Sequence, residues 1–473
     1  MPTASTAARR RLAIAALLIA TPAFAQSGDA SADASKPATT GDPAPAVGGH
    51  AATEAPAGVV PLADYTGDFW TRSAVLGDLG GARTDLAEMG IQFNVDWTNT
   101  LQSVVDGGRD QTTKIGGTAD FNITFDLMRM KLLPGAFVKF RGESRYGESV
   151  NGDTGTLLPV SSDMLFPLTS ELNEGVPFDI TNLTYYQFLS DHFAILAGKF
   201  DTLDGDPNEF ASGRGLTQFQ NLNFVFNAVP LLTVPYDVLG AGVIIMPNKW
   251  ITIISNVFTT TDVSSVSGFS DLDNGLTWAT EANFQYRLGR LPGGFNIGGT
   301  YAFDNDFKTV NRRYTFEPGQ GVVVPPDQND SWSVYLSGWQ YLFAEDDGRG
   351  DEPLDPENRI PDLKGLGVFA RLGFADQDTN PIQVAFSVGL GGRGAIPGRD
   401  NDIFGVGYFY NDAQENRLQT ILNLKSYGQG FEAFYSVAIT PAMHLTFDLQ
   451  VVEPVSNNLD TAVILGGRFL VHF

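Results

Sequence analysis

Apolar and polar residues alternate along most of this chain from residue 91 to its end. The stretch from 119 to 126 is typical, because Phe121 and Ile123 alternate with Asp120 and Asn122. A strand points successive side chains to opposite faces, so each such stretch predicts a β-strand with one apolar and one polar face. Sixteen stretches of this kind begin near residues 91, 117, 135, 180, 193, 236, 249, 276, 294, 331, 365, 381, 402, 429, 442 and 462.

The number and the length of these strands favour a β-barrel in a membrane. Most of them have about ten residues, which is the length that a tilted strand needs to cross a bilayer. An even number returns both chain ends to the same side, as in bacterial outer-membrane barrels. We therefore predict an all-β fold, a 16-stranded antiparallel transmembrane β-barrel with a short N-terminal helix and inward-folded loops. The alternative is a large soluble β-sandwich, whose two apolar faces would pack against each other.

The connections between the predicted strands differ in length on the two sides of the barrel. With both chain ends in the periplasm, the long connections near 147–178, 201–235 and 304–330 lie on the outer side. The connections on the other side are short turns, with the exception of the acidic stretch 344–362. Long loops on one side only are typical of outer-membrane barrels.

The last strand, 462–473, has an apolar face that ends in the aromatic residue Phe473. A soluble protein with such an exposed edge would be prone to aggregation, whereas a closed barrel pairs that edge with its first strand. A terminal strand ending in Phe also resembles the signal that the barrel-assembly machinery reads in outer-membrane proteins. Arg468 departs from that signal, because it stands where the strict pattern has Gly.

The N-terminal part of the chain has a different composition from the barrel. Residues 1–25 carry three arginines, an apolar core and a small-residue cleavage site, which together predict a secretory signal peptide. Residues 26–62 are rich in Ala, Pro and Ser, and we expect a disordered linker there. Residues 63–90 form an N-terminal turn and a short helix at 84–89, and residues 91–473 form the barrel. This organisation predicts the bacterial outer membrane as the location.

Composition excludes several other classes of function. The formal charge is −24, so a nucleic-acid partner is not expected, because phosphate binding needs a basic face. The chain has no Cys and four His, so it offers no thiolate ligand and few histidines for a zinc site or a Ser-His-Asp triad. Asp204–Glu209 is similar to a calcium loop but lacks Gly at its sixth position. We expect no catalytic residue, no cofactor and no metal.

A barrel of sixteen strands is wide enough for a water-filled channel, so selectivity must come from groups inside it. The connection 201–235 mixes Phe with amides, carboxylates and one Arg, which suits sugars; the alternative is an ordinary surface loop with its Phe packed on the barrel wall. Charged residues at alternate positions of the third strand should face the lumen opposite this loop; the alternative is a solvated wall. The predicted pore-lining residues are Lys139, Arg141, Glu143, Arg145, Asp201, Asp204, Glu209, Arg214, Gln218, Asn221 and Asn223.

Several short motifs follow one another in a fixed order along the chain: Gly77–Arg83, Gly198–Asp201, Pro397–Asp402, Gly405–Tyr408, Glu432–Tyr435 and Thr440–Pro441, followed by the last strand. With these motifs the chain resembles, from about residue 64 to its end, the carbohydrate-selective porins of the OprB type. Members often carry Trp where Leu79 stands here. The resemblance implies a sixteen-stranded outer-membrane porin that admits sugars, monosaccharides such as glucose, by facilitated diffusion.

Two rival functions remain at this stage. One is a general or weakly cation-selective diffusion porin. The other is an outer-membrane barrel enzyme such as a lipase, which needs a Ser/His pair on the outer wall, whereas His444 and His472 belong to the inward-facing set. The expected partners are sugars in transit, outer-membrane lipid and lipopolysaccharide, and the barrel-assembly machinery through Phe473. The oligomeric state is open.

Overall fold

The structure is a computed structural model that describes residues 58–165, 178–263, 266–310, 315–317, 321–323, 327–345, 353–354, 361–413 and 417–473. The predicted signal peptide, 1–25, and most of the predicted linker, 26–62, lie outside the described residues. Within the described part of the chain, the helices are all too short or too polar to cross a membrane.

Sixteen antiparallel strands form one closed barrel, as predicted. Each barrel strand pairs with the barrel strands that precede and follow it in the chain. The first strand, β1, pairs with the last, β18, where Trp97 lies opposite Val471, and this closes the sheet. Every predicted segment corresponds to one barrel strand; the largest difference is at β2, which begins at Thr113 rather than near residue 117. The barrel strands are β1 (Ile91–Asp106), β2 (Thr113–Asp126), β3 (Ala136–Gly147), β4 (Asp179–Ser190), β5 (Phe193–Asp201), β6 (Asp237–Asn248), β7 (Ile251–Thr259), β8 (Leu276–Leu288), β9 (Leu291–Phe303), β12 (Ser331–Ala344), β13 (Gly365–Ala375), β14 (Ile382–Arg393), β15 (Ile403–Ala413), β16 (Tyr427–Thr440), β17 (Met443–Val452) and β18 (Ala462–His472).

Small elements decorate this barrel. The two short strands β10 (Thr315–Glu317) and β11 (Gly321–Val323) form a separate sheet in the connection between β9 and β12. The predicted N-terminal helix is α1 (Ala82–Glu88), and the other α-helices are α2 (Asn151–Thr154), α3 (Leu222–Val225) and α4 (Arg417–Ile421).

The N-terminal segment packs against the start of the barrel. Arg83 of α1 is buried, with its guanidinium 4.1 Å from the ring centroid of Tyr65 and 4.8 Å from that of Phe93. The backbone N–H of Val60 donates to Oδ2 of Asp126 at 2.9 Å. Residues 58–62, at the end of the predicted linker, thus contact the turn after β2.

The two faces of the barrel wall follow the alternation in the sequence. Phe447 of β17 points outward and is 56% exposed, whereas its neighbour Thr446 is buried inside the barrel. Arg468 of β18 also points inward and is 0% exposed, while Leu465 is outward and half-exposed. A barrel with an apolar exterior and a polar interior is the arrangement that a bilayer requires.

The connections at the two ends of the barrel differ in length. The end that holds the start of β1 and the end of β18, here called the terminal end, has two-residue turns at 191–192, 249–250, 289–290 and 441–442. The opposite end, here called the loop end, has long connections at 148–178, 202–236 and 304–330. The connection 345–364 is the long exception at the terminal end, as its sequence indicated.

Candidate functional site

The connection between β5 and β6, residues 202–236, lies inside the barrel and is here called the lumen loop. It enters from the loop end and spreads over the inner face of the wall. Its four phenylalanines, which the sequence analysis assigned either to sugar stacking or to wall packing, are buried among protein atoms: Phe210, Phe219, Phe224 and Phe226. Their rings pack on the wall, so they leave no face for a sugar ring.

Glycines on the inner face of the wall make room for three of these rings. A Cβ at Gly407 of β15 would lie 2.5 Å from Cε1 of Phe224, and one at Gly405 would lie 2.8 Å from Cζ of Phe219. A Cβ at Gly367 of β13 would likewise lie 2.2 Å from two atoms of the Phe210 ring. Contact between carbon atoms is favourable near 3.5–4.0 Å, so only Gly allows the rings to come this close to the wall.

Polar side chains of the wall bind the backbone of the lumen loop. Arg468 of β18 donates to two loop carbonyls, Glu432 of β16 accepts from two loop N–H groups, and Arg371 of β13 donates to two further carbonyls. These three side chains are buried, and each gains its partners from a segment that would otherwise carry unsatisfied backbone groups. Their partners are the carbonyls of Gly215 and Gln218 for Arg468, the N–H groups of Gln220 (2.6 Å) and Asn221 (2.9 Å) for Glu432, and the carbonyls of Phe224 (2.8 Å) and Ala211 for Arg371.

Three predicted pore-lining amides maintain the shape of the loop. Gln218 accepts from Ser212 N at 2.6 Å and donates to the carbonyl of Glu209 at 3.0 Å. Asn221 caps α3 by accepting from the N–H of Asn223 at 3.1 Å. Two of these amides also bind the wall: Asn221 donates to Oε1 of Gln450 at 3.0 Å, and Asn223 accepts from Nδ2 of Asn411 at 2.6 Å. These amides hold the loop against β15 and β17.

Four of the predicted residues come together in one buried group, here called the salt-bridge cluster: Arg141, Glu143, Asp201, Arg214 and, in addition, Tyr236. Asp201 accepts from Arg141 Nη1 at 2.9 Å and from Arg214. Glu143 accepts from Arg214 and from the hydroxyl of Tyr236. Burial raises the pKa of Tyr236 well above its ordinary value, and the charges of Asp201 and Glu143 raise it further, so the hydroxyl remains a donor.

Two arginines therefore bridge the lumen loop and β3. Arg214 belongs to the loop and reaches Glu143 on the wall, whereas Arg141 belongs to the wall and reaches Asp201, the last residue of β5 directly before the loop. Arg141 thus contacts the base of the loop directly, and its Nε also donates to Oδ1 of Asn122 at 2.8 Å. The backbone of Arg214 is left-handed, with φ +57°, which turns the chain sharply at this point.

Asp120 is the residue of this region that the predicted set did not contain. It lies in β2 directly opposite Glu143 of β3, and it is 4% exposed. Among the described residues its carboxyl group accepts no hydrogen bond. Glu143 opposite it binds Arg214, and Arg141 lies two residues away along β3 on the same face. Its inward position in the alternation of β2 was a signal for this placement; its closeness to Arg214 depends on how the loop folds.

The remaining predicted residues lie elsewhere. Lys139 is beside Tyr186, with Nζ 5.9 Å from the ring centroid, and Arg145 donates to the carbonyl of Leu165 in the connection 148–178. Glu209 contacts β12 near the terminal end of the barrel. Asp204 is in a short 3₁₀ helix, and its side chain lies outside what the structure describes. In the described ranges, no group of three or more His, Cys, Asp or Glu side chains is arranged to hold a metal ion.

Comparison with known proteins gives one family and one fold. The model of the carbohydrate-selective porin family, OprB, matches residues 110–473. The high-pH structure of Pseudomonas putida OprB superposes with a TM-score of 0.71 at 19% identity, covering 86% of this chain and 100% of that chain. The low-pH structure of the same protein gives 0.54 at 16% identity, with 85% and 99% covered. No curated protein matches the sequence significantly. At these identities the solved structures support the barrel fold.

Proposed function

Because the chain belongs to the OprB family of carbohydrate-selective porins, and is thus a sugar porin of the bacterial outer membrane, we propose that its selectivity arises where the lumen loop meets β2 and β3. Monosaccharides such as glucose cross this region passively. The two arginines of the salt-bridge cluster keep some exposure, and together with Asp120 they supply the polar groups that a sugar contacts there. The terminal end of the barrel then faces the periplasm, and the loop end faces the outside.

The observation that carries this proposal is the position of Asp120, which lies opposite Glu143, the partner of Arg214, and one diagonal step from Arg141 on the same face of the wall. A sugar hydroxyl both donates and accepts, so it binds best where a carboxylate and a guanidinium are close together. Arg141 and Arg214 are already held by Asp201 and Glu143, so they are positioned before a solute arrives. Asp120 accepts no hydrogen bond among the described residues, so its side chain has acceptor capacity for a sugar hydroxyl.

The first test compares solutes of similar size in liposomes that contain the porin. Wild-type protein should admit glucose faster than amino acids of similar size. Asp120→Asn should reduce the sugar-dependent block of ion current about two- to tenfold, because one hydrogen bond contributes about 0.5–1.5 kcal/mol net. Glu148→Gln is the matched control, since Glu148 is an exposed carboxylate paired with Lys114 at the rim. Equal effects of both variants would refute the role of Asp120.

The second test removes the loop itself. Deleting about fifteen residues between Glu209 and Asn223 should raise the ionic conductance and abolish the preference among sugars. Unchanged conductance and preference would place the selectivity element elsewhere, most directly in the connection 148–178. Arg141→Ala and Arg145→Ala are best made separately, because Arg141 contacts Asp201 directly before the lumen loop and Arg145 contacts that other connection. We expect Arg141→Ala to weaken sugar-dependent block and to increase cation selectivity.

A second candidate function is a general or weakly cation-selective porin. It is favoured by the inward-facing carboxylates Asp120, Glu281 and Asp448. With Asp120 counted, the salt-bridge cluster region has three carboxylates and two arginines. The reversal potential in a salt gradient measures ion preference independently of sugar block. Ion preference without any sugar block would favour this function. The family and the fold indicate a channel rather than an enzyme.

The partners other than sugars follow from the surface of the barrel. We propose that the outward apolar side chains contact outer-membrane lipid and lipopolysaccharide, and that Phe473 is read by the barrel-assembly machinery. Phe473 pairs with Val95 of β1 through backbone hydrogen bonds, so the terminal residue is part of the closed sheet. Oligomeric state is a separate question that detergent-solubilised protein can answer by light scattering.

A further inference from the structure

The connection between β12 and β13 is unusual because it lies at the terminal end yet has twenty residues, 345–364. The other connections at that end include four turns of two residues. Its sequence is strongly acidic, and the alternation of strands gives no reason for its length. Of its described residues, Leu354 and Leu363 are buried in the barrel, whereas Glu345 is exposed.

The first contact of this connection is made by Leu354. Its side chain is 4% exposed and belongs to the same apolar cluster as Phe210 of the lumen loop and Tyr341 of β12. Its backbone N–H donates to Oε1 of Gln285 at 2.8 Å, and its carbonyl accepts from Nε2 of the same side chain at 2.8 Å. Two reciprocal bonds to β8 therefore hold this residue inside the terminal end of the barrel.

The second contact is made through Glu209 of the lumen loop. Its Oε1 accepts from the backbone N–H of Asp362 at 2.6 Å and from the hydroxyl of Tyr341 at 2.5 Å. The hydroxyl of Tyr341 in turn accepts from the N–H of Leu363 at 3.1 Å. Tyr341 is three residues from the terminal end of β12, which is about 10 Å along the strand. A loop that enters from the loop end thus meets a connection from the terminal end.

We propose that Glu209 is a positioning residue that couples the lumen loop to the β12–β13 connection, so that the connection sets the position of the loop from the periplasmic side. This inference rests on the proposed function, in which the lumen loop carries the selectivity. The neighbouring wall supports the coupling, because Phe210 packs into the space beside Gly367 and Gly391. Movement of either partner breaks the bonds of Glu209 and leaves a buried carboxylate without its donors.

Coupling of this kind is reciprocal. If the docked connection favours the docked loop, then the docked loop favours the docked connection by the same factor. A substitution in the loop must therefore increase exposure at Leu354, which is on another part of the chain. A role of Glu209 confined to the local shape of the loop would not change the environment of Leu354.

The experiment uses the absence of Cys in the native sequence. Leu354→Cys places a single thiol at the buried contact, and its rate of reaction with a charged, membrane-impermeant thiol reagent is measured in the folded full-length porin. Adding Glu209→Ala should accelerate this reaction about five- to 150-fold, the range that is typical of coupled sites. Glu209→Gln keeps a carbonyl oxygen at the acceptor position, so its rate should stay near that of Leu354→Cys alone.

The converse experiment perturbs the connection and observes the pore. Gln285→Leu removes both bonds to Leu354 and should increase the noise and the mean conductance of single channels. Glu345→Ala is the matched control, because it removes an exposed charge from the same connection, where Glu345 pairs with Lys364. Heat-modifiability confirms that each variant is folded.

An equal thiol reaction rate with and without Glu209→Ala, in folded barrels, would overturn the coupling. That result leaves sugar preference of the native porin untouched, so it is distinct from failure of the proposed function. Conversely, a native porin without sugar preference but with accelerated thiol reaction would refute the proposed function and support the coupling.

Discussion

Gly407→Ala is the substitution that most directly tests how the lumen loop is held. The added Cβ would lie 2.5 Å from Cε1 of Phe224, whereas favourable contact is near 3.5–4.0 Å, so the ring must retreat by about 1 Å. The ring has no room for this movement. Phe224 is 0% exposed, and its centroid is 4.6 Å from that of Phe219 and 5.6 Å from that of Phe409.

The expected cost can be estimated from this geometry. Overpacking of a well-packed core typically costs about 1–3 kcal/mol, which corresponds to roughly a five- to 150-fold shift from docked to undocked loop. We expect Gly407→Ala to increase the noise and the mean conductance of single channels and to weaken sugar-dependent block. The barrel itself should remain folded, because the strand pairing of β15 with β14 and β16 is unchanged.

Gly467→Ala is the matched control for this prediction. Gly467 is also a strand glycine, but a Cβ there meets no atom within 4 Å, so the substitution should leave conductance unchanged. Gly407→Ala combined with Phe224→Leu should restore part of the native conductance, because the smaller side chain vacates the contact. If Gly407→Ala and Gly467→Ala gave the same conductance and noise, the packing of Phe224 on the wall would not hold the loop.

Three further predictions concern the wall and its ends. Phe447→Arg, on the lipid-facing surface, should destabilise the barrel by about 2–4 kcal/mol in denaturant titrations, while Thr124→Arg on the inner face should cost little. Equal costs of the two substitutions would contradict the assignment of faces. Phe473→Ser should lower the amount of folded barrel in the outer membrane without changing the conductance of the channels that do assemble; normal amounts would contradict this. Burial alone would raise the pKa of Asp402, but hydrogen bonds, above all from Arg399, lower this pKa overall. The ionised carboxylate therefore stabilises the fold fully above about pH 4, and this stabilisation is lost as the pH falls through the lowered pKa. Asp402→Asn should make the melting temperature less sensitive to acid in this range.

The barrel was predictable from sequence because the alternation that defines each strand lies within a short stretch of the chain. A strand between lipid and a polar interior must alternate, so each segment shows its type and its faces without knowledge of the others. Even the positions of the strand starts follow within a few residues. The position of the lumen loop was also predictable, because phenylalanines in a loop beside a wide polar lumen need a surface on which to pack.

The partners of that loop were not predictable in the same way. Arg371, Glu432 and Arg468 bind it across more than a hundred residues of sequence, and the pattern of each strand identifies them only as inward-facing polar residues. The inward glycines near 405 and 407 break the alternation, and the sequence alone does not explain them. They make room for specific phenylalanine rings of the lumen loop, and identifying those rings requires both the register of several strands and the path of the loop.

Arg468 shows how the two faces of the terminal strand can meet different requirements. In the terminal strand it stands where the assembly pattern has Gly, and from sequence this is a departure. In the folded barrel its buried guanidinium donates to the carbonyls of Gly215 and Gln218 of the lumen loop and lies near the hydroxyl of Thr446. A glycine at this inward position would leave two loop carbonyls without donors, at about 1–3 kcal/mol for each buried group left unpaired. The outward face, which ends in Phe473, still retains the apolar alternation. The terminal strand can therefore keep an apolar outward face, as the proposed assembly signal requires, while its inward face holds the lumen loop.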